Sequence, residues 1–258
     1  MPRISVITIN YNNVYGLKKT IESVLEQQGV EIEYIIIDGG STDGSVELLS
    51  NYTDSISKWL SEKDEGVYDA MNKGVKYATG DYCIFLNSGD IFSSSLIIGT
   101  IAETMVSEEA DIYYGNIQNT LPDGTFSIQK FPAAISLMHF SYSYLGHPST
   151  IIRRALLIEM GGYSLKYKII SDWLFFVQAL IHGARFKYID LTISIFEANG
   201  LSGNLELLEK EHNHVLDKEL FFLKEDFRYF ADYRTFWHSR AHLVLRKLIS
   251  IVKQNQDA

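Results

Sequence analysis

Two carboxylates, Asp38 and Asp90, each close an apolar run of strand length on a Gly/Ser-rich turn: EYIIIDGGSTDGS over 33–45 and DYCIFLNSGD over 81–90. In an open α/β sheet, ligands bind beyond the carboxyl ends of the strands. Two such ends predict one crevice with both acids on its rim, a place suited to a nucleotide and a divalent metal. The glycines let a backbone approach a ligand closely. Asp38 there can accept a hydrogen bond from a base N–H or a ribose hydroxyl, although Asp and Ser in such a turn also cap helices. Asn10-Tyr11-Asn12 ends the first strand at the same edge, where Tyr11 can stack on a base or belong to an ordinary polar loop. At Asn87-Ser88-Gly89-Asp90, one carboxylate with phosphate oxygens and waters suffices for octahedral Mg²⁺ or Mn²⁺; the alternative is a turn aspartate.

Three further places carry reactive side chains. The acidic loop Glu62-Lys63-Asp64-Glu65-Gly66 reads as a solvated charge run. It leads into Tyr68-Asp69-Ala70-Met71-Asn72-Lys73-Gly74, where Asp69, Asn72 and Lys73 share a helix face. Lys73 can meet a phosphate, while Asp69 and Asn72 can instead serve the fold. Asp172 sits just inside the very apolar helix start Ile170-Ser171-Asp172-Trp173-Leu174. The helix dipole favours an acid there, and a partly desolvated carboxylate also suits general-base work. His147, in Gly146-His147-Pro148-Ser149, stands at the entrance to a strand. HExxH, GxSxG, Walker A and GxGxxG patterns are all missing, so nothing in the sequence points to a zinc site, a nucleophile elbow, a P-loop or the classical dinucleotide fingerprint.

The elements that must position these residues alternate. The near-continuous apolar run over 4–9 reads as a strand buried on both faces, and the runs over 33–38 and 81–87 read as further strands. Between and after them, helical spacing covers about 15–28, with Gly29 as its C-terminal cap, 41–51, capped by Ser41 or Thr42, and 67–79, ended by Gly80. A short strand is expected at 57–61. This alternation predicts βαβ units and a mostly parallel sheet. The second half is mixed. It shows a hairpin of about 112–118 and 125–130 around Leu121-Pro122-Asp123-Gly124, a strand at 149–153, helices at 154–160 and 170–182, and a strand at 185–196. After Gly203 the chain reads as helix over 205–230 and again over 237–252. In the second of these, Trp237, Ala241, Val244, Leu245, Leu248 and Val252 share one face, flanked by Arg and Lys. The expected organisation is therefore a nucleotide-binding half (about 1–110) and an acceptor half (about 111–203) in one domain, with a helical appendage over 204–258.

With 258 residues, 46% of them hydrophobic, the chain can bury a large core. A net charge of −9 speaks against nucleic acid as a partner. The single cysteine, Cys83, lies in a strand pattern and reads as a buried core thiol. The N-terminus lacks signal-peptide features, and no run approaches the roughly 18 apolar residues of a membrane span. The expectation is a cytoplasmic protein. The C-terminal stripe can pack on the catalytic domain, pair two copies, or lie on the inner face of a membrane.

Taken in order, these pieces resemble the family 2 glycosyltransferases of the GT-A fold, a Rossmann-like nucleotide-diphospho-sugar transferase architecture. ISVITINYNN looks like the family's opening strand, IIIDGGSTDGS like its DDGSTD nucleotide element, and FLNSGD like its Asp-x-Asp metal motif. GGY followed by ISDWLFF looks like its acceptor segment, and SEKDEGVYDAMNKG resembles bacterial members that build surface polysaccharides. The resemblance covers about 3–200. It implies a nucleotide-diphospho-sugar donor, expected to be UDP-linked, and a saccharide or lipid-linked saccharide acceptor. Thr8, Asn10 and Tyr11 would line the nucleobase pocket, Asp38 would contact the base, and Lys73 would lie near the nucleotide. Asp90 would ligate the metal, with His147 a further metal-side or acceptor-side candidate, and Asp172 would deprotonate the acceptor hydroxyl. Two positions depart from the family pattern. Gly39 stands where the second Asp of DDGS belongs. Asn87 stands for an acid of the metal motif and can replace a ribose-contacting one. The rival readings are a binding protein without transferase activity and a nucleotidyltransferase.

Overall fold

A computed structural model describes residues 1–120, 124–197 and 204–237. The first half follows the expected alternation: β1 (Ile4–Asn10), α1 (Val14–Leu25), β2 (Ile32–Asp38), α2 (Ser45–Ser50), β3 (Lys58–Ser61), α3 (Val67–Tyr77) and β4 (Tyr82–Phe85). The chain continues with β5 (Ile91–Phe92), α4 (Ile97–Ser107), β6 (Ile112–Thr120), β7 (Phe126–Gln129) and α5 (Leu137–Phe140). It ends with β8 (Thr150–Arg153), α6 (Arg154–Glu159), α7 (Ser171–Ile181), β9 (Phe186–Glu197), α8 (Leu205–Lys218) and α9 (Lys224–Trp237).

Among the described residues the strands form one sheet in the order β3-β2-β1-β4-β8-β6-β9-β5, with β7 added to β6. The run β3-β2-β1-β4 is wholly parallel, so Asn10 and Asp38 are register partners at its carboxyl edge. Beyond β4 the sheet is mixed, with β8 antiparallel to both neighbours and β6 parallel to β9. All of β1 is buried, as its near-continuous apolar run leads one to expect, and its buried Ser5 and Thr8 are hydrogen-bonded. The core on one side of the sheet joins Val6, Ile36 and Ile84 to Leu17, Ile21 and Val24 of α1. On the other side, α3 packs against β1 and β2. A Cβ on Gly74 would come within 2.4 Å of Ile7 Cγ2, so this glycine sets how closely α3 lies on β1. Cys83 is buried, and burial pushes its thiol up to about 12.

The described residues group into two compact units, one of Met1–Ile135 with Leu145–Glu211 and the other of Ser136–Tyr144 with the described residues from His212 on. The first half of α8 therefore belongs with the sheet. Glu211 accepts hydrogen bonds from the backbone N–H groups of Lys168 (2.8 Å) and Ile169 (3.0 Å). The helix expected over 205–230 is two helices, separated by a turn in which Leu220 and Leu223 are buried. The helix expected over 237–252 lies outside the described residues beyond Trp237, as does the turn at Leu121-Pro122-Asp123. Three helix ends differ from expectation. α1 stops at a Glu26 cap before Gly29, α3 stops at Ala78 before Gly80, and α2 starts at Gly44, which holds φ 98°. Ser41 does not cap α2 because its hydroxyl is committed to Asp38.

The amino end of the sheet is tied by Glu33, a buried residue of β2 and the register partner of Ser5 in β1. Its carboxylate accepts from Ser5 Oγ (2.5 Å), from the Thr79 hydroxyl and N–H (both 2.7 Å), and from Gly80 N–H (3.2 Å). Burial alone would raise its pKa, but these donors outweigh it and hold the group below its ordinary 4.5. A depressed acid stabilises the fold above its unfolded-state pKa and loses that contribution as pH falls through the folded value. Glu33→Gln is thus expected to lower the urea midpoint at neutral pH, with the gap to the parent protein closing below pH 4.5.

Candidate active site

At the carboxyl edge of β2, Asp38 is fully buried and accepts five hydrogen bonds. Oδ1 takes Asn10 Nδ2 (2.7 Å) and Ser41 Oγ (2.6 Å). Oδ2 takes Ser61 Oγ (2.6 Å) and the N–H groups of Ser41 (2.9 Å) and Gly40 (3.2 Å). Burial would raise its pKa; the hydroxyls of Ser41 and Ser61 and the remaining donors bring it below the usual aspartate value. The carboxylate thus ties β1, β2, β3 and the following turn together. Asn12 extends the same lattice by accepting from Thr42 N–H (2.8 Å).

Asn10 and Asn87, at the ends of the parallel neighbours β1 and β4, each hold a buried side-chain oxygen with no donor among the described residues. Orphaned buried acceptors are uncommon and call for an explanation. Tyr11, in contrast, is 67% exposed at this edge. Thr8 lies lower in β1, fully buried, and shares a 3.1 Å hydrogen bond with Tyr34. Asp90 is nearly buried in the turn after β4, where Thr20 Oγ1 donates to its backbone carbonyl (2.8 Å).

On α3, Tyr68 and Asn72 lie one turn apart and reach a segment about a hundred residues away. Asn72 clamps Tyr163 by both backbone groups: Nδ2 donates to Tyr163 O and Oδ1 accepts from Tyr163 N–H, each at 2.8 Å. A Cβ on Gly162 would come within 2.5 Å of Asn72 Oδ1, which explains the glycine in GGY. Tyr68 shares its hydroxyl proton between Ile169 O (2.6 Å) and Asp172 Oδ1 (2.9 Å). Burial, and then the Asp172 charge, hold that phenol well above its usual pKa, so it remains a donor. Lys73 does not reach outward. Its Nζ bridges Glu62 (2.9 Å) and Asp69 (3.2 Å) and donates to Lys63 O (3.3 Å), fastening the acidic loop to α3.

Asp172 occupies the first turn of α7. Oδ1 also takes the N–H of Trp173 (2.9 Å), and Oδ2 has no donor among the described residues. This carboxylate is aimed by one oxygen and open at the other. His147 sits behind it in an aromatic cluster. Its ring stacks on Phe85 (4.9 Å) and Nε2 bonds the Tyr163 hydroxyl (2.8 Å). Burial depresses its pKa, opposed by the charge on Asp172.

The profile described as Glycosyl transferase family 2 matches residues 5–175. This chain belongs to that family. Over 192 residues, 70% of each chain, it is 34% identical to an uncharacterized glycosyltransferase of Mycobacterium tuberculosis. The fold is the GT-A fold expected from the sequence. The crystal structure of S. aureus TarS 1-349 in complex with UDP superposes with a TM-score of 0.64 at 19% identity, over 76% of this chain. The chain spans 60% of that TarS chain. A Pyrobaculum calidifontis mannosyltransferase in complex with GDP-Man and Mn²⁺ gives a TM-score of 0.61 at 12% identity, over 97% of this chain and 80% of its own.

A family 2 enzyme raises the question of a metal. Among the described residues, no three His, Cys, Asp or Glu side chains come together to hold one. His147 is engaged by Tyr163, and Asp90 is the carboxylate in the turn between β4 and β5. This set fits an ion that keeps most of its shell as water and phosphate oxygen. It does not fit an ion held by protein alone.

Two structural features of the candidate site escape a sequence reading. Tyr68 orients Asp172, and the only signal was its placement one helical turn before Asn72. Asp64, inside the apparent charge run, is half-buried against Gly39.

Proposed function

We propose that this chain is an inverting hexosyltransferase. It would take a sugar from a UDP-linked donor and pass it to a hydroxyl of a saccharide or lipid-linked saccharide during bacterial surface-polysaccharide synthesis. The observation that carries the reading is Asp172, fixed through Oδ1 by Tyr68 and the Trp173 N–H and open at Oδ2. Inversion needs one base and no protein nucleophile. The acceptor oxygen attacks the anomeric carbon, its proton passes to Asp172 Oδ2, and the bond to the diphosphate breaks. On the donor side, Asn10, Tyr11 and Asn87 would meet the ligand, while Thr8, Asp38 and Lys73, engaged with Tyr34, the β2 turn and the acidic loop, would hold that edge in shape. Unpaired oxygens on Asn10 and Asn87 match the hydroxyl donors of a ribose. The TarS structure with UDP supports the choice of base.

Asp90 would hold a Mg²⁺ or Mn²⁺ ion, which when bound offsets charge on the diphosphate. Because the protein supplies so few ligands, Mn²⁺ is expected to stay free with the protein alone and to be retained once UDP is added. Electron paramagnetic resonance of free Mn²⁺, with and without UDP, measures this. Tight retention without nucleotide would show a protein-built metal site and contradict the assignment. Calorimetric titration of UDP, GDP and dTDP, followed by release of UDP from UDP-sugars, tests the transferase reading itself. No nucleotide binding under any condition would end it.

A further inference from the structure

We infer that Asp64, rather than Asp38, is the carboxylate that recognises the donor's base, accepting a hydrogen bond from a ring N–H such as that of uracil, thymine or guanine. This deepens the proposed function and rests on its nucleoside-diphosphate donor. Four observations converge on it.

First, Asp38 has no acceptor capacity to spare. Five donors already surround its two oxygens, and a base could reach it only by displacing one of them. Second, Asp64 occupies the place left by the missing acid of the family's turn. A Cβ built on Gly39 would lie 2.5 Å from Asp64 Oδ2 and 3.2 Å from Tyr11 Cδ2. The carboxylate and the exposed ring therefore meet over Gly39, beside the end of β2, where a base stacked on Tyr11 would present its edge. Third, only one oxygen of Asp64 is used. Oδ1 accepts from Gly66 N–H (3.0 Å), and Oδ2 has no donor among the described residues. Fourth, the loop is held in place. Lys73 binds Glu62, Asp69 and Lys63 O, Asp69 accepts from Glu65 N–H (3.1 Å), and Glu62 N–H donates to Asp38 O (3.0 Å). Burial raises the pKa of Asp64, opposed by Gly66 N–H and Lys73 and aided by Asp69 and Asp38. A carboxylate desolvated in this way gains from a ligand N–H that shares its charge.

Cytosine discriminates this arrangement, because its ring nitrogen at the matching position is an acceptor and faces the carboxylate unfavourably. The experiment is calorimetric titration of UDP, GDP, dTDP and CDP into the full-length protein and into Asp64→Asn, Asp64→Ala and Gly39→Ala. Thermal unfolding checks that each variant is folded. The parent protein is expected to bind one of the first three nucleotides and to bind CDP more weakly. Losing a hydrogen bond to a charged group should weaken the preferred nucleotide by about 10- to 100-fold in Asp64→Ala. Asp64→Asn, which can donate to cytosine, should narrow the gap to CDP. Gly39→Ala keeps the carboxylate but pushes it aside, and the nearest atom its Cβ meets is the end of the Asp64 side chain. It should fold and weaken the same nucleotide. If the parent binds and the Asp64 variants keep its affinity and base ranking, the inference is overturned while the transferase reading stands. If the parent binds CDP as tightly as the others, the inference likewise fails. If it binds none of the four, both fall together.

Discussion

Asp172→Asn should lose about 10²- to 10⁴-fold in turnover while binding nucleotide as the parent does. The substitution is nearly isosteric. Asn keeps an oxygen for Tyr68 and the Trp173 N–H, so the first turn of α7 remains in place. It removes only the basic oxygen that faces away from them. The loss should therefore fall on kcat, with donor affinity unchanged. Tyr68→Phe separates orientation from basicity. It leaves the acid intact but frees its rotamer and strands Ile169 O, so a smaller loss in kcat is expected. Sugar transfer under saturating donor, together with UDP titration, reads both quantities. If Asp172→Asn turns over at the parent rate, Asp172 is not the base and the proposed inverting mechanism fails.

The sequence carries part of this arrangement openly. β1, β2 and β4 are buried on both faces, so their runs are mostly apolar and their carboxyl ends can be read directly. Asp38, Asp90 and Asp172 stand at element ends where turn chemistry makes them visible. What cannot be read is contact across long separations. β5 is a two-residue strand that exists because β9 pairs with it, and nothing in Ile91-Phe92 announces that. Tyr68 and Asn72 bind groups 91 to 104 residues away, so their motif shows a shared helix face without showing what it faces. The break near Leu220 has no Gly or Pro to mark it, since burial of Leu220 and Leu223 sets the turn. Asp64 was hidden in another way. In sequence it belongs to a hydrophilic run, and only the missing side chain at Gly39, 25 positions earlier, leaves room for it to be drawn in.

The same reasoning makes Asp38→Ala the most destabilising single change at this edge. The substitution strands three side-chain donors and two backbone N–H groups, and the side-chain donors belong to different segments. A buried donor left unpaired costs about 1–3 kcal/mol. Hydroxyls can rotate toward other acceptors and water can enter the space, so the sum is not simply additive. A loss of about 3–5 kcal/mol in urea unfolding is the expected result, within the range seen when a buried charged partner is removed. Asp38→Asn should recover little, because its amide would point a donor at Asn10 Nδ2 or at the turn N–H groups. Nucleotide binding should fall in both variants, through collapse of the turn that holds Gly39 and Gly40. The contrast with Asp64 is diagnostic. Asp64 variants should unfold near the parent midpoint and lose nucleotide, whereas Asp38 variants should lose stability first. An Asp38→Ala protein as stable as the parent yet unable to bind nucleotide would mean that Asp38 exchanges its internal partners for the donor. In that event the base would be read from β2 directly, and Asp64 would be left to shape the loop beside it.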